Sequence, residues 1–436
     1  MIKKYKSEIM IFFLAAFLRL IAFVIILSFA QAYHFPFPHI GSDSRNYLQG
    51  AESIRIGDGY QYRDGTPIHY FLPGYPIFIA LITGIVGSLY LVIFVQVLLA
   101  SLTAVLIYRL GKKWSHNVGL TAALFFSIDP SGLFYSNVIL SETLFLFLVS
   151  ILLLALTSSK IQTPGKIFFS GLLFGALIMV RPLAIAFAPG LLFFFISKKE
   201  NVQRLRFITL FFLATALVVG SWIIRNKIQF DSYELSQTFS TQLFDAHAPQ
   251  FYAFKNGIST REAVEILNQK LETISPYGRE RSDRNGAYQK KVALEYLAEY
   301  PIQFTFFHLM KTSPNFISDG FRDLGERLYI IRSSPSIVEL FTDRKIAFEH
   351  RTLLIFVVLG IIIWSIISLL ALLGVIFGRK DALVLFLFLL LVFPALLAGG
   401  AVSHPRYRHG TSPLLFLLAS YGLWNLIMLQ KKRKQS

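Results

Sequence analysis

Residues 9–31 read IMIFFLAAFLRLIAFVIILSFAQ and follow Lys3, Lys4 and Lys6. The run is too long for the apolar core of a signal peptide. A helix needs about 20 apolar residues to cross a bilayer, so this stretch predicts a retained first span. Working outward, comparable runs lie at 90–110, 118–136, 137–157, 207–224, 353–377, 382–402 and 412–429. The stretch 167–197 is apolar on both sides of Arg181-Pro182 and reads as two short helices. The expectation is an all-α polytopic membrane protein with about ten spans.

Composition agrees with that reading. The chain has 436 residues, of which 54% are hydrophobic and 15% charged, and its mean hydropathy is +0.57. Soluble domains carry about a quarter of their residues as charges. The 43 phenylalanines and 19 tyrosines suit lipid-facing helices and their interfacial belts. There is no cysteine, which excludes disulfides and thiolate metal sites. The net charge of +17 sits in short clusters between the apolar runs. That pattern obeys the positive-inside rule and argues against nucleic acid as a partner.

An N-terminus inside puts Arg109/Lys112/Lys113, Lys160/Lys166, Lys198/Lys199/Arg204/Arg206, Arg379/Lys380 and 431–434 on the cytoplasmic side. This holds only if 73–88, which opens Pro-Gly-Tyr-Pro, lies along the outer interface rather than crossing. Both termini are then cytoplasmic in a plasma membrane. The outer face receives the loop 32–72, the turn 136–142, the Arg181-Pro182 break, the segment 225–351 and the loop 403–410. The chain divides into a module at 1–224 with its first outer loop at 32–89, a segment at 225–351, and C-terminal spans at 352–436. Within 225–351, residues 260–274 and 285–310 have the spacing of amphipathic helices that cap a cavity or lie on the membrane.

Four places on that face offer chemistry. In the first loop, Asp43 precedes Tyr47 at helical spacing; it reads either as an N-cap or as a reactive carboxylate. The aromatic and polar side chains of that loop, Tyr60, Tyr62, His69 and Tyr70 among them, suit a sugar or a membrane interface. In SNVILSETLFLFL (136–148), Glu142 opens an apolar helix, as a functional acid or as a first-turn glutamate favoured by the helix dipole. Asp129 is open to the same two readings, and its neighbour Pro130 suggests a kink or an end to that span, with Asp129 facing a cavity. In MVRPLAIAFAPG (179–190), Arg181 reads as partnered by an anion, either a phosphate or a bridge to Asp129 or Glu142, ahead of snorkelling to the headgroups, because the Pro182 break puts it inside a bundle. In SHPRYRHG (403–410), His404, Arg406, Tyr407, Arg408 and His409 break the positive-inside rule, which points to an anionic lipid or a polyprenyl phosphate.

Together, the Asp43…Tyr47 loop, PGYP, LSETLFLFL, the RP after a glycine-rich short helix and the RYR before the last span carry a resemblance. The chain resembles the GT-C glycosyltransferases of the dolichyl-phosphate-mannose protein mannosyltransferase and lipid A aminoarabinose transferase type. The resemblance implies a GT-C-like bundle with juxtamembrane helices in the first outer loop. It also implies a sugar donor on a polyprenyl monophosphate. Asp43 matches the family's first-loop acid, although Ser44 stands where the family often has a second acid. Glu142 matches the second acidic position, and Arg181 and Arg406 match basic positions near the donor phosphate. Arg408 is a further candidate for the phosphate, with Tyr47, Asp129, His69, Tyr407 and His404 as candidate substrate contacts. Asp43 and Glu142 offer hard oxygen ligands to Mg²⁺ or Mn²⁺, but two carboxylates are thin coordination, and metal dependence stays open. The acceptor is a glycolipid, a polysaccharide or a protein. A transporter or flippase of a lipid-linked sugar is the alternative, but the chain shows no matched halves and its ionisable residues gather at one end.

Overall fold

The computed structural model describes residues 5–38, 42–158, 163–197, 201–279, 285–321, 324, 337–402 and 405–435. Lys3, Lys4, Lys160, Lys198, Lys199 and His404 lie outside the described residues. Among the described residues the chain is helical, without a strand. Helix α1 (Lys6–Tyr33) leads to α2 (Ser42–Ile56) and α3 (Gly74–Val86), both within the first loop. Then come α4 (Leu89–Gly111), α5 (His116–Ile128), α6 (Pro130–Tyr135), α7 (Glu142–Thr157) and α8 (Pro164–Val180). After Arg181 a 3-10 turn (Pro182–Phe187) runs into α9 (Ala188–Ile196), followed by α10 (Asn201–Phe230).

A group of shorter helices comes next: α11 (Thr238–Gln242), α12 (Ala248–Asn256), α13 (Thr260–Ile274), α14 (Gly286–Glu299), α15 (Pro301–Thr312) and α16 (Pro314–Ile317). Two more short helices, α17 (Ile337–Thr342) and α18 (Arg344–Glu349), precede α19 (Arg351–Phe377). The chain closes with α20 (Ala382–Leu397), α21 (Pro405–His409) and α22 (Ser412–Gln435). The long pairs are α8 on α10 and α19 on α22, and α4 packs against α1, α5 and α7.

Five helices among the described residues are long and apolar enough to cross a membrane: α1, α4, Gln203–Phe230, α19 and α22. The other expected spans are shorter apolar helices: α5, α7, α8, Pro182–Ile196 and α20. The differences have local causes. The expected run 118–136 stops at Ile128 because Asp129 leaves the helix (φ −58°, ψ 117°) ahead of Pro130, and a residue before proline disfavours the α region. The Asp129 carboxylate then accepts the Ser131 and Gly132 N–H groups (3.2 and 3.1 Å) and starts α6. The expected run 137–157 begins only at Glu142. Carbonyls freed ahead of it need partners, since an unpaired one in an apolar setting is costly. Gln96 on α4, itself buried, donates to Val138 O (2.8 Å), and its own oxygen accepts from Tyr75 Oη (2.6 Å). Ser44 on α2 donates to Ile139 O (2.9 Å), which ties the first loop to the start of α7.

The segment after α10 is a helical cap with a core of its own, including Leu243, Phe251, Leu267, Val292, Leu297 and Phe307. Helix α13 opens on a capping box, Ser259 with Glu262. The amphipathic stretch expected at 285–310 is two helices, because Pro301 lacks the N–H that would continue α14. The end of α10 and the cap are both pinned to the first loop. Arg225 Nη1 donates to Ile68 O (2.8 Å), Thr238 Oγ1 to Tyr70 O (2.8 Å) and Gln237 N to His69 O (3.4 Å).

Candidate active site

Proline chemistry begins the site. Arg181 is held extended (φ −147°, ψ 122°) as the C-cap of α8, as the following Pro182 favours. Its side chain therefore leaves the helix line and reaches the first residue of α7. There Arg181 Nη1 lies 2.7 Å from Glu142 Oε1. Backbone approach makes this corner tight: a Cβ on Gly74, at the start of α3, would fall 2.6 Å from the Met179 backbone. Only glycine fits there, which accounts for the second residue of PGYP.

Arg406 completes the cluster from α21. Its Nε donates to Glu142 Oε1 and its Nη1 to Asp43 Oδ2 (2.7 Å). One guanidinium thus spans two carboxylates from distant parts of the chain, and one carboxylate spans two guanidiniums. Burial works against the Arg406 charge, but Glu142 and Asp43 outweigh it and hold the group well above its ordinary pKa. Exposure separates the two acids. The Glu142 side chain is 0% exposed, whereas that of Asp43 is 33% exposed. Glu142 is an anchor at a helix N-terminus, where an anion is favoured. Asp43 is the carboxylate that a solute can reach.

Asp43, Tyr47, Arg181, Arg406 and Tyr407 line a cavity of about 440 Å³, within the range of small-molecule sites. Tyr47 sits one turn beyond Asp43 and packs edge-on against Tyr75 and Phe71 (5.0 and 5.3 Å between centroids). Burial and the Asp43 carboxylate push its hydroxyl above the ordinary value. Tyr407 Oη accepts from Gln242 Nε2 of the cap (3.2 Å).

Other candidates are placed elsewhere. Arg408 is buried; its Nη1 donates to Ser318 O (2.6 Å) and its guanidinium lies 3.6 Å over Trp364. Burial pulls it down to about 10. It fastens α21 to the 314–318 turn and does not line the cavity. Asp129 caps α6 and meets His409 Nδ1 (3.3 Å) from α21. The His69 ring stacks on Phe230 (4.5 Å between centroids) under the loop. His404 is outside the described residues.

A metal does not fit the two acids, since Glu142 Oε1 already faces two guanidiniums and Asp43 Oδ2 faces one. Among the described residues no group of three or more His, Asp or Glu side chains could hold one. Cavity residues that spacing does not reveal are Glu234, Phe239, Gln242 and Lys290 from the cap. Arg19, fully buried in α1 and bonded to Ala15 O (3.1 Å), was legible as a lone charge inside an apolar run.

Residues 67–224 match a family model described as dolichyl-phosphate-mannose-protein mannosyltransferase. The match contains Glu142 and Arg181 and excludes Asp43 and Arg406. It bears out the resemblance to that family and contains PGYP, LSETLFLFL and Arg181-Pro182 but neither the Asp43…Tyr47 loop nor the RYR at 406–408. A search of curated proteins finds no match. Among solved structures, ArnT from Cupriavidus metallidurans bound to undecaprenyl phosphate is similar at 10% identity and a TM-score of 0.41. That alignment covers 93% of this chain and 77% of that one. The apo state of the same protein aligns at 11% identity, 92% and 77% coverage, and a TM-score of 0.39.

Proposed function

We propose that the chain is a membrane glycosyltransferase that moves a sugar from a polyprenyl monophosphate to an acceptor hydroxyl on the outer face of the plasma membrane. The observation that carries this reading is the Asp43–Arg406–Glu142–Arg181 cluster at the wall of a cavity. The family match supports a polyprenyl-phosphate donor, and the basic clusters along the chain support cytoplasmic termini.

The chemistry follows from charge. Two guanidiniums and two carboxylates are neutral together, and an arriving phosphate competes with Asp43 for Arg406. Once Arg406 turns to phosphate oxygens, Asp43 is released beside the cavity as a free carboxylate. Asp43 takes the proton of the acceptor hydroxyl, whose oxygen attacks the anomeric carbon opposite the phosphate. The bond from that carbon to the phosphate oxygen breaks, and the anomeric centre inverts. The departing polyprenyl phosphate gains one negative charge, which Arg406 and Arg181 stabilise by fixed electrostatics. No strong general acid is needed, and base catalysis contributes roughly 10²–10⁴-fold. Glu142 holds the two guanidiniums in place throughout and does not touch substrate.

The test is transfer of label from polyprenyl-phosphate sugars into a membrane extract by wild type and Arg406→Gln. Transfer by wild type that falls in the variant supports the reading. Movement of lipid-linked sugar between leaflets, with no donor consumed, replaces it with transport.

A further inference from the structure

The cavity has a second polar wall, contributed by the cap and unused by the mechanism above. Lys290 on α14 donates to Glu234 Oε1 (3.2 Å), and Ser240 Oγ sits 2.8 Å from each oxygen of the same carboxylate. Ser240 is fully buried, so the carboxylate is held from behind, while the Lys290 and Glu234 side chains remain 39% and 20% exposed. Phe239 lines the cavity beside them and is half exposed, with the Lys290 ammonium 6.0 Å from its ring centroid. Gln242 joins this wall to the first one through its bond to Tyr407, the neighbour of Arg406.

An open aromatic face next to a fixed carboxylate and an ammonium is a chemically mixed surface. The ring offers area to the C–H face of a sugar, and the ion pair offers both an acceptor and donors to adjacent hydroxyls. An extended peptide would want a sheet edge to pair with, and the described residues contain no strand. We propose that Glu234, Phe239, Gln242 and Lys290 form an acceptor subsite for a carbohydrate ring, which makes the acceptor a glycan or the glycan part of a glycolipid. This rests on the transferase reading for its role, though not for its binding chemistry. The Gln242–Tyr407 bond ties the two walls together, and Phe239 and Asp43 line the same cavity.

The experiment uses the full chain in phospholipid nanodiscs and saturation-transfer NMR with two probes, methyl β-D-glucopyranoside and a short Ser/Thr peptide. Binding of undecaprenyl phosphate is measured on the same preparations. The expected result is saturation of the glycoside by wild type. That signal falls at least about fivefold in Phe239→Leu, which keeps an apolar side chain but loses the aromatic face, and in Glu234→Gln. Phe239→Tyr restores it, and undecaprenyl phosphate binding is unchanged in all three. Glycoside silence in wild type, a glycoside signal that survives Phe239→Leu and Glu234→Gln, or saturation of the peptide instead overturns the subsite. If undecaprenyl phosphate binds and the glycoside does not, the transferase reading stands and the subsite falls. The reverse pattern keeps the subsite and removes the donor. Weakened undecaprenyl phosphate binding in Glu234→Gln would assign this wall to the donor and also overturn the proposal.

Discussion

Arg406 Nη1 lies 2.7 Å from Asp43 Oδ2, so the reachable carboxylate of the cavity is held by a guanidinium from the other end of the chain. The pair joins the first loop to α21 across 363 positions. It also makes Asp43 available only when something else satisfies Arg406. In the proposed mechanism, donor binding and base activation are therefore one event.

Arg406→Lys is not a conservative change at this position. A single ammonium lacks the planar fork that meets Asp43 and Glu142 on two different edges. Transfer in Arg406→Lys is expected to fall about 10²-fold, near the loss seen when one fixed electrostatic donor is removed from a reacting site. A rate near wild type in a labelled-donor assay would remove Arg406 from the phosphate site.

Glu142 and Asp43 are expected to separate by stability rather than by activity. Glu142→Gln leaves Arg181 and Arg406 without their shared buried anion, a change that costs about 3–5 kcal/mol. Asp43 is a third exposed, and Asp43→Asn is expected to alter the melting temperature little. Thermal unfolding of both variants in detergent measures the difference; equal melting temperatures contradict the anchor role of Glu142.

Much of this was legible in sequence. The long apolar runs, the Arg181-Pro182 break and the odd basic cluster at 403–410 are local signals, because bilayer length, proline geometry and loop charge are local properties. Pro130 marked a kink or an end within the run 118–136, and α5 does end just before it; the bonds by which Asp129 caps α6 depend on backbone direction and were not legible. Arg408 looked equivalent to Arg406 two positions away. A one-turn helix sends the two side chains to different neighbours, Trp364 and Ser318 for one, Asp43 and Glu142 for the other. The Glu234–Lys290 pair spans 56 positions within the cap and has no spacing signature at all.

Gly74→Ala tests the corner that aims Arg181. Its methyl would fall on the Met179 backbone and force α3 away from the end of α8. Overpacking of this kind costs about 1–3 kcal/mol, and transfer is expected to fall with no titratable group changed. A Gly74→Ala protein with normal melting and normal transfer would show that the close approach is not needed.

The cap carries its own pH dependence. His247 is buried against the His308 ring, 5.5 Å between centroids, and burial with that neighbour lowers it to about 4. A neutral buried histidine takes up a proton more readily when unfolded. Cap stability is therefore full above about pH 6.5 and is lost as pH falls through 6.5 toward 4, by on the order of 3 kcal/mol. Hydrogen exchange in α12 and α15 is expected to accelerate across that window in wild type and much less in His247→Phe. Exchange independent of pH in wild type contradicts the assignment.

The most direct test of the central claim is transfer of radiolabelled sugar from polyprenyl phosphate, comparing wild type with Asp43→Asn at matched expression. The account predicts transfer by wild type and a fall of roughly 10²–10⁴-fold in the variant, with undecaprenyl phosphate still bound. Transfer by Asp43→Asn at the wild-type rate would contradict it, leaving Asp43 as no more than the partner that holds Arg406 in place.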